Sequence, residues 1–548
     1  MKSEPLLHEA LRLLQSNKAA EGQRVLEELL LESPNNIKAH ELLVQLAFNK
    51  KDLSLAEKHL ALLHKIAPTL EKYITPLIEV YCHQSRWLDV ASLYLKQASF
   101  QKNTPTLLFN YAYYMKLAGK FDIAIEYYSK VLDLGIRDEY EVFLNIANIY
   151  SENLSEPDKA IEILNKAIDK YPNQDSLLYN LANIYEQRGN KKQALASFQA
   201  AFSKNPKNFD ALARQADIHQ VKDKSEHLII QMTEAYHCDI ISDNAKINIA
   251  YALGKSHDDC GEYDLAFQFY QQANTLDQKT LPLYKPRKYE EYINNIISTF
   301  TKSWMDSFTL SNAKEINEPP IFICGMFRSG STLCEQILSG HSKISIGGEQ
   351  EYFQRTIANS NKDFPNEFID HLSSNKTILL EEYLAEINKF RKNGAQLTDK
   401  RPDNFLYLGV IKALMPRAKI VWTTRSLLDN CLSVFFLRLG ASMSYATKLE
   451  HTIHFYQQQV KLMKHWQTIF GEDIYQFNYD ELIKEPKNNV EALLSFLGLP
   501  WENNCLNFHE VENHVKTASV WQVRQPLYTK SSGRWMNYHQ QLKKLALV

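Results

Sequence analysis

The run IFICGMFRSGSTLCEQIL, residues 321–338, is where this chain concentrates its chemistry. Four residues of strand character, Ile321 to Cys324, feed the turn Gly325-Met326-Phe327-Arg328-Ser329-Gly330-Ser331-Thr332, and an amphipathic helix is expected from Leu333. Strand, glycine-bearing loop and helix N-terminus in that order make an anion cradle. Backbone N–H groups converge there, and the helix dipole adds roughly half a positive charge. The spacing follows the nucleotide-binding P-loop, G-x-x-x-x-G-K-[ST], except that Ser331 stands where the lysine belongs. That lysine reaches the β- and γ-phosphates of a triphosphate, so its absence argues against an ATPase, kinase or GTPase. Arg328 supplies a cation from within the loop instead. The expected ligand carries a phosphate and is not a triphosphate.

Positioning such a loop takes an α/β framework, and the residues beyond Leu281 have its pattern. Tyr289 to Phe300 reads as a helix, and Pro319-Pro320 marks the boundary before the first strand. Short β-rich runs then alternate with helices, notably IVWTT between Lys419 and Arg425 and the run Ile474 to Tyr479 before Asp480. Alternation of this kind predicts a mostly parallel sheet, with ligands at the carboxyl ends of its strands. Arg328 and Arg425 each fall at such an end, beside a helix N-terminus. Guanidinium forks there bind phosphate and sulfate oxygens in pairs.

The first half of the chain repeats itself. Gly22, Ala56, Val90, Ala124, Ala160 and Ala194 are separated by 34, 34, 34, 36 and 34 positions, and Pro34, Pro68, Pro172 and Pro206 each follow their small residue by 12. The copy LANIYEQRGNKKQALASFQAAFSKNP carries Ala182, Tyr185, Gly189, Ala194, Phe198, Ala201 and Pro206. The pattern resembles the tetratricopeptide repeat, two antiparallel helices per ~34 residues. Small residues let the two helices approach, aromatics fill the gap, and proline ends the second helix. Register blurs near 210–245 and returns with Gly254, Gly261, Ala266, Tyr270 and Ala273. An array of about seven to eight pairs, an expectation from the ~34-residue period, offers an extended surface for protein or peptide. Tyr113, Tyr127 and Tyr185 read individually as packing between repeats, and both substrate delivery and self-association stay open.

Composition narrows the class. With 548 residues the chain should hold two or more domains, and 45% apolar with 23% charged residues is ordinary for a globular protein. A net charge of −2 gives no signature of nucleic-acid binding. The seven cysteines (82, 238, 260, 324, 334, 431 and 505) form no CxxC or Cys/His cluster, which predicts free thiols in a reducing compartment and no metal site. No segment reaches ~18 uninterrupted apolar residues, and the start MKSEPLLHEALRLL lacks a cleavage site, so a cytoplasmic protein without a membrane span is expected.

Residues 319–548 resemble the sulfotransferase superfamily, whose donor is 3′-phosphoadenosine 5′-phosphosulfate (PAPS). The branch most similar is that of the tyrosylprotein sulfotransferases and their tetratricopeptide-fused bacterial relatives. RSGST at 328–332 matches the family's 5′-phosphosulfate loop, with Phe327 replacing a proline. The resemblance implies donor contacts from Arg328, Ser329, Gly330, Ser331 and Thr332. In KIVWTTRSLLDNCLS, Arg425 and Ser433 match the 3′-phosphate element, while Arg438 lies one place beyond a further basic position that Leu437 occupies. The family's general base is a glutamate 21 residues past the loop arginine, which here is Glu349 in Gly347-Gly348-Glu349-Gln350-Glu351; Glu351 is the reserve candidate. Lys400, in Asp399-Lys400-Arg401-Pro402, corresponds to the lysine that stabilises the leaving phosphosulfate. TASVWQVRQPLYTKSSGRW (517–535) resembles the segment closing over the nucleotide, which implies Ser519 at the sulfonate or bridging oxygen and Arg524 and Lys530 at the 3′-phosphate end. Tyr479 corresponds to a nucleotide-site tyrosine, and His341 reads as a helix-terminal residue.

The fold class expected is therefore α + α/β: a tetratricopeptide superhelix (1–280), a helical linker (281–318) and a P-loop-like α/β sulfotransferase domain with a mostly parallel sheet (319–548). The implied reaction moves a sulfonate from PAPS to a hydroxyl, foremost a protein or peptide tyrosine, with a glutamate base and no metal. A glycan, lipid or small-molecule hydroxyl is the alternative acceptor. A non-catalytic tetratricopeptide scaffold is opposed by the joint presence of Arg328, Glu349, Lys400, Arg425 and Ser433. A P-loop kinase is opposed by the missing lysine and the lack of a Walker-B acid after Val421-Trp422.

Overall fold

The periodic small residues find their physical reason in the helices. The computed structural model describes residues 3–102, 104–154, 156–309, 316, 318–360, 362–510, 523–527 and 531–545, divided into two compact units, Met1–Ile184 and Tyr185–Val548. In the first unit Gly22, Ala56, Val90, Ala124 and Ala160 each take the fourth position of a second helix: Ala19–Glu32, Leu53–Ile66, Trp87–Phe100, Phe121–Leu134 and Pro157–Lys170. All five are buried. A methyl group on Gly22 would lie 2.7 Å from Leu14 Cδ2, so the first pair of helices is in contact through that glycine. Pro34, Pro68 and Pro172 stand two residues beyond the ends of their helices, where a ring without an N–H cannot continue the ladder. Asn36 and Asp52 accept from the Ala39 and Leu55 amides and cap the helices they precede.

The single 36-residue interval has a local cause. Helix starts at 139 and 157 are two residues further apart than starts at 105 and 121, and the surplus is taken up by a π-helical turn, Ile149–Asn153, closing Glu139–Asn148. In the second unit, where the repeat register blurs, two ten-residue helices occur, Phe209–Ile218 and His227–Tyr236. The regular pair Asp243–Asp259 and Tyr263–Asp277 follows, with Ala266 again fourth in the second helix.

Beyond it lies a five-stranded sheet of β1 (Ile321–Gly325), β2 (Ile344–Ser345), β3 (Gln396–Lys400), β4 (Ile420–Thr424) and β5 (Ile474–Asn478), in the order β2-β3-β1-β4-β5. Every pairing is parallel; Ile323 sits opposite Lys400, Gly325 opposite Thr423, and Thr424 opposite Asn478. β1 is buried throughout, as a central strand covered on both faces must be. Phe322 and Cys324 join one cluster with Tyr383, Leu397, Trp422 and Trp466; Ile321 and Ile323 join the other with Leu333, Ile337, Val421 and Phe477. The helix Pro286–Thr299 places Ile293 and Ile296 in the first cluster.

Two boundaries differ from expectation. The helix after the loop begins at Ser331, two residues before Leu333, with Gly330 at its N-cap (φ 102°). Tyr479 opens a short helix, Tyr479–Leu482, instead of ending β5, because Asn478 accepts from the Asp480 and Glu481 amides and turns the chain. Enlarging a small repeat residue tests the packing. Ala124→Leu should destabilise the array by about 1–3 kcal/mol, whereas Leu134→Ser, at a side chain 54% exposed, should change it by less than about 0.5 kcal/mol. Urea unfolding followed by circular dichroism measures both; equal midpoints would contradict the packing.

Candidate active site

A parallel sheet delivers the ends of all its strands to one edge, and the candidate residues stand there. β1 leaves the sheet toward β2 and β3, while β4 continues outward to β5, so the crevice falls between the carboxyl ends of β1 and β4. Gly325 is what lets the loop leave at that point: a Cβ there would lie 2.3 Å from the Thr423 carbonyl of β4, and its φ is 155°. Ser329, 1% exposed, is fixed to the same strand by a 2.7 Å hydrogen bond with Thr423 Oγ1. Arg328 lies in the left-handed region (φ 67°), a conformation costly for a side chain and characteristic of ligand-holding turns. The first intrahelical acceptor is Gly330 O, which receives Cys334 N–H at 2.9 Å. The amides of Ser331, Thr332 and Leu333 therefore belong to the helix's N-terminal turn.

Around that turn the cations are held in definite places. Arg328 Nε donates to Ser433 Oγ at 3.2 Å. Arg425, 9% exposed, donates through one terminal nitrogen to the Arg328 carbonyl (3.5 Å) and through the other to the Ser531 carbonyl. Its guanidinium carbon sits 5.0 Å above the Tyr479 ring, whose hydroxyl pairs with Ser531 Oγ. Tyr479 also packs under the loop: a Cβ on Gly330 would meet its ring at 3.2 Å. The Arg425 Nε is buried and finds no partner among the described residues.

On the other side of β1, Lys400 at the end of β3 is 1% exposed and forms an ion pair with Glu349, Nζ to Oε1 2.5 Å. Glu349 reaches it because Gly347 lies hard against β3. A Cβ at 347 would come within 2.1 Å of the Thr398 carbonyl, and the Gly347 amide donates to Thr398 Oγ1 at 3.2 Å. The Lys400 amide in turn donates to Gly348 O at 2.9 Å. The same turn uncovers a residue that sequence reasoning passed over. Glu335, buried on the loop's helix, accepts from Thr398 Oγ1 (2.8 Å) and the Gly348 amide (3.3 Å). Burial pushes its carboxyl above the usual range, opposed by the Lys400 charge and the Thr398 hydrogen bond. Only its acidity amid Leu333, Cys334, Ile337 and Leu338 hinted at this role. Asp399, also fully buried, accepts from Tyr383 OH (2.9 Å) and Asn404 Nδ2 (3.0 Å), and burial pushes its carboxyl up to about 7.

The remaining nominees lie elsewhere. Glu351, 68% exposed at its side chain, pairs with Arg401 at 3.5 Å. His341 donates from Nε2 to Pro500 O (2.9 Å) and accepts the Lys343 amide at Nδ1 (3.1 Å), the pattern of a helix-terminal tie. Arg438 turns to the repeats, meeting Asp277 Oδ1 at 3.1 Å and Asn248 Oδ1 at 2.9 Å. Arg524 donates to the Gln187 carbonyl at 3.0 Å, packed over Gly189. Ser519 and Lys530 lie outside the described residues. Among the described residues no group of three or more His, Cys, Asp or Glu is placed to hold a metal ion, and no helix is long and apolar enough to cross a membrane.

Comparison with known proteins gives this arrangement a class. Residues 319–503 match the sulfotransferase family model, and residues 154–218 and 247–280 match tetratricopeptide repeats. The chain thus joins a tetratricopeptide array to a sulfotransferase domain with a parallel sheet. An uncharacterized protein of Aquifex aeolicus is 27% identical over 397 residues, 70% of this chain and 51% of that one, so the match spans about half of that relative. Protein-tyrosine sulfotransferase 1 of Danio rerio is 22% identical over 241 residues, 40% of this chain and 66% of that protein. The sulfotransferase domain of the Synechococcus PCC 7002 olefin synthase aligns with a TM-score of 0.30 and 17% identity, over 43% of this chain and 98% of that one.

The buried Asp399 makes a pH prediction. A carboxyl whose folded pKa is raised holds its proton more tightly when folded, so its contribution to stability falls as pH rises from the unfolded value near 4 through about 7. Asp399→Asn should remove that dependence. The melting temperature of wild type relative to the variant should fall between pH 4 and 8; a constant difference would contradict the assignment.

Proposed function

We propose that the domain transfers a sulfonate from PAPS to an acceptor hydroxyl, foremost a tyrosine phenol in a peptide, with Glu349 as general base. The observation that carries the reading is the Lys400–Glu349 pair at 2.5 Å, at the carboxyl edge of β3 and next to the strand that opens into the loop. The residues fit a bisphosphate nucleotide. Arg425 keeps a buried Nε without a partner among the described residues, Ser433 and Arg328 are already joined, and the Gly330 turn rests on the Tyr479 ring. Arg328 and the amides of residues 329–332 would hold the 5′ end, and Arg425 with Ser433 the 3′-phosphate. The relatives named protein-tyrosine sulfotransferase support sulfonate transfer and the acceptor class.

PAPS, when bound, supplies an activated sulfonate and leaves as the bisphosphate nucleotide. The protein's part is to move one proton and neutralise one growing charge. Glu349, 36% exposed at its side chain, is the open member of the pair, while Lys400 is closed off. Glu349 would take the phenolic proton, easier to remove at a pKa of ~10 than that of a sugar alcohol. Lys400 would turn its ammonium from Glu349 toward the bridging oxygen, where negative charge grows. Glu335 and Thr398 hold the Gly347–Gly348 turn in register while this happens.

Labelled PAPS offered to peptide, glycan and phenol panels tests the reading. Glu349→Gln should lower turnover by roughly 10²–10⁴-fold with near-normal binding of 3′-phosphoadenosine 5′-phosphate. Retained turnover would reject Glu349 as the base. Arg328→Ala should weaken that nucleotide's binding at least about tenfold, consistent with a charge-assisted contact; unchanged calorimetric affinity would reject the cradle. Transfer to a glycan alone would move the acceptor from tyrosine to sugar.

A further inference from the structure

The repeat pair Asp243–Asp259 and Tyr263–Asp277 is joined to the sheet domain at two places that both lead to the crevice. The first is the helix Leu427–Phe435, which carries Ser433. Its terminal carbonyl at Phe435 accepts Asn274 Nδ2 at 2.8 Å, and Asn274 is held in turn by Tyr251 OH at 2.8 Å. A helix end buried in this way needs such a donor. Tyr270 stacks on Phe436 with ring centroids 4.0 Å apart, and Arg438 closes the contact on Asp277 and Asn248. Cys431, Leu432, Phe435, Phe436, Tyr538 and Leu542 share one apolar cluster with Tyr251, Phe267 and Tyr270 of the repeats.

The second place is the C-terminal segment 531–545. Ser531 touches two candidate nucleotide residues, accepting from Arg425 at its carbonyl and sharing a hydroxyl–hydroxyl hydrogen bond with Tyr479. Ser532 Oγ donates to Asp480 Oδ1 at 2.6 Å, and the amides of Gly533 and Trp535 donate to the two Asp429 oxygens at 2.7 and 2.8 Å. The next fastening is on the repeats. Asp258 accepts Arg534 at 2.6 Å on Oδ2 and the buried Tyr538 hydroxyl on Oδ1. Two residues, Ser532 and Gly533, separate Arg534 from Ser531.

We infer that the last repeat pair is a built-in wall of the donor site, with Asp258 a positioning residue that holds Ser531 against Arg425 and Tyr479. The inference rests on the donor reading above. It makes this pair of helices part of the enzyme's own machinery instead of a detachable recruiting arm. A change at Asp258 should act on the donor and spare the acceptor.

Full-length variants test this. In Asp258→Ala the dissociation constant for 3′-phosphoadenosine 5′-phosphate and the KM for PAPS should each rise at least about tenfold, with the acceptor KM unchanged. Asp258→Asn, which keeps an acceptor oxygen, should recover part of the loss. Asp264→Ala loses only the Gln541 hydrogen bond (2.5 Å) farther along the same segment, and should stay within about twofold of wild type. Hydrogen exchange gives a readout independent of the nucleotide: in Asp258→Ala, amides of 531–538 should exchange faster while those of 321–338 do not. Wild-type affinity in Asp258→Ala, or unchanged exchange at 531–538, would overturn the inference. A wild-type protein that binds no such nucleotide would instead sink the donor reading, with exchange still deciding the positioning role.

Discussion

A lysine 1% exposed at the end of a central strand must have an anion beside it, and the Lys400–Glu349 pair is the constraint around which the site is built. Removing Glu349 would strand a desolvated ammonium, at a cost of several kcal/mol, roughly 3–5 in comparable buried pairs. The pairing also dictates the backbone. Two glycines precede Glu349 because Gly347 must lie against the Thr398 carbonyl and Gly348 must adopt φ 68°. Thr398 and Glu335 then lock that turn to β3 and to the loop's own helix. The carboxylate is placed by a turn whose anchors, Glu335, Gly347 and Thr398, are buried.

On the far side of β1 the logic is reversed. Arg425 is nearly as enclosed, yet among the described residues its guanidinium is served by the carbonyls of Arg328 and Ser531 and the Tyr479 ring. A cation kept in neutral company suits an anionic ligand that comes and goes, since no resident carboxylate has to be displaced. One side of the crevice thus carries a cation with its own counter-charge, and the other a cation without one in those contacts. That asymmetry matches a reaction in which one end of the donor is held and the other is released.

Much of this was legible in residue order. The strand–loop–helix at 321–338, Arg425 after a run of β-formers, and the 34-residue phase of Ala56, Val90 and Ala124 are local signals, fixed by neighbours in sequence. What stayed hidden depends on contacts distant in the chain. Glu335 reads as a stray acid until Thr398 and Gly348 close on it. Arg438 reads as a displaced nucleotide ligand until Asp277 and Asn248 take it. Asp258 and Asp429 are unremarkable acids in sequence and gain meaning only where the segment 531–538 crosses both. The two-residue β2 is too short for any periodicity to announce.

The most direct measurement is diffraction from crystals soaked in 3′-phosphoadenosine 5′-phosphate. Density for the 5′-phosphate should lie over the amides of 329–332, with the 3′-phosphate against Arg425 and Ser433, if the loop holds the donor. Nucleotide density at any other place, with the loop at Gly325 vacant, would contradict it.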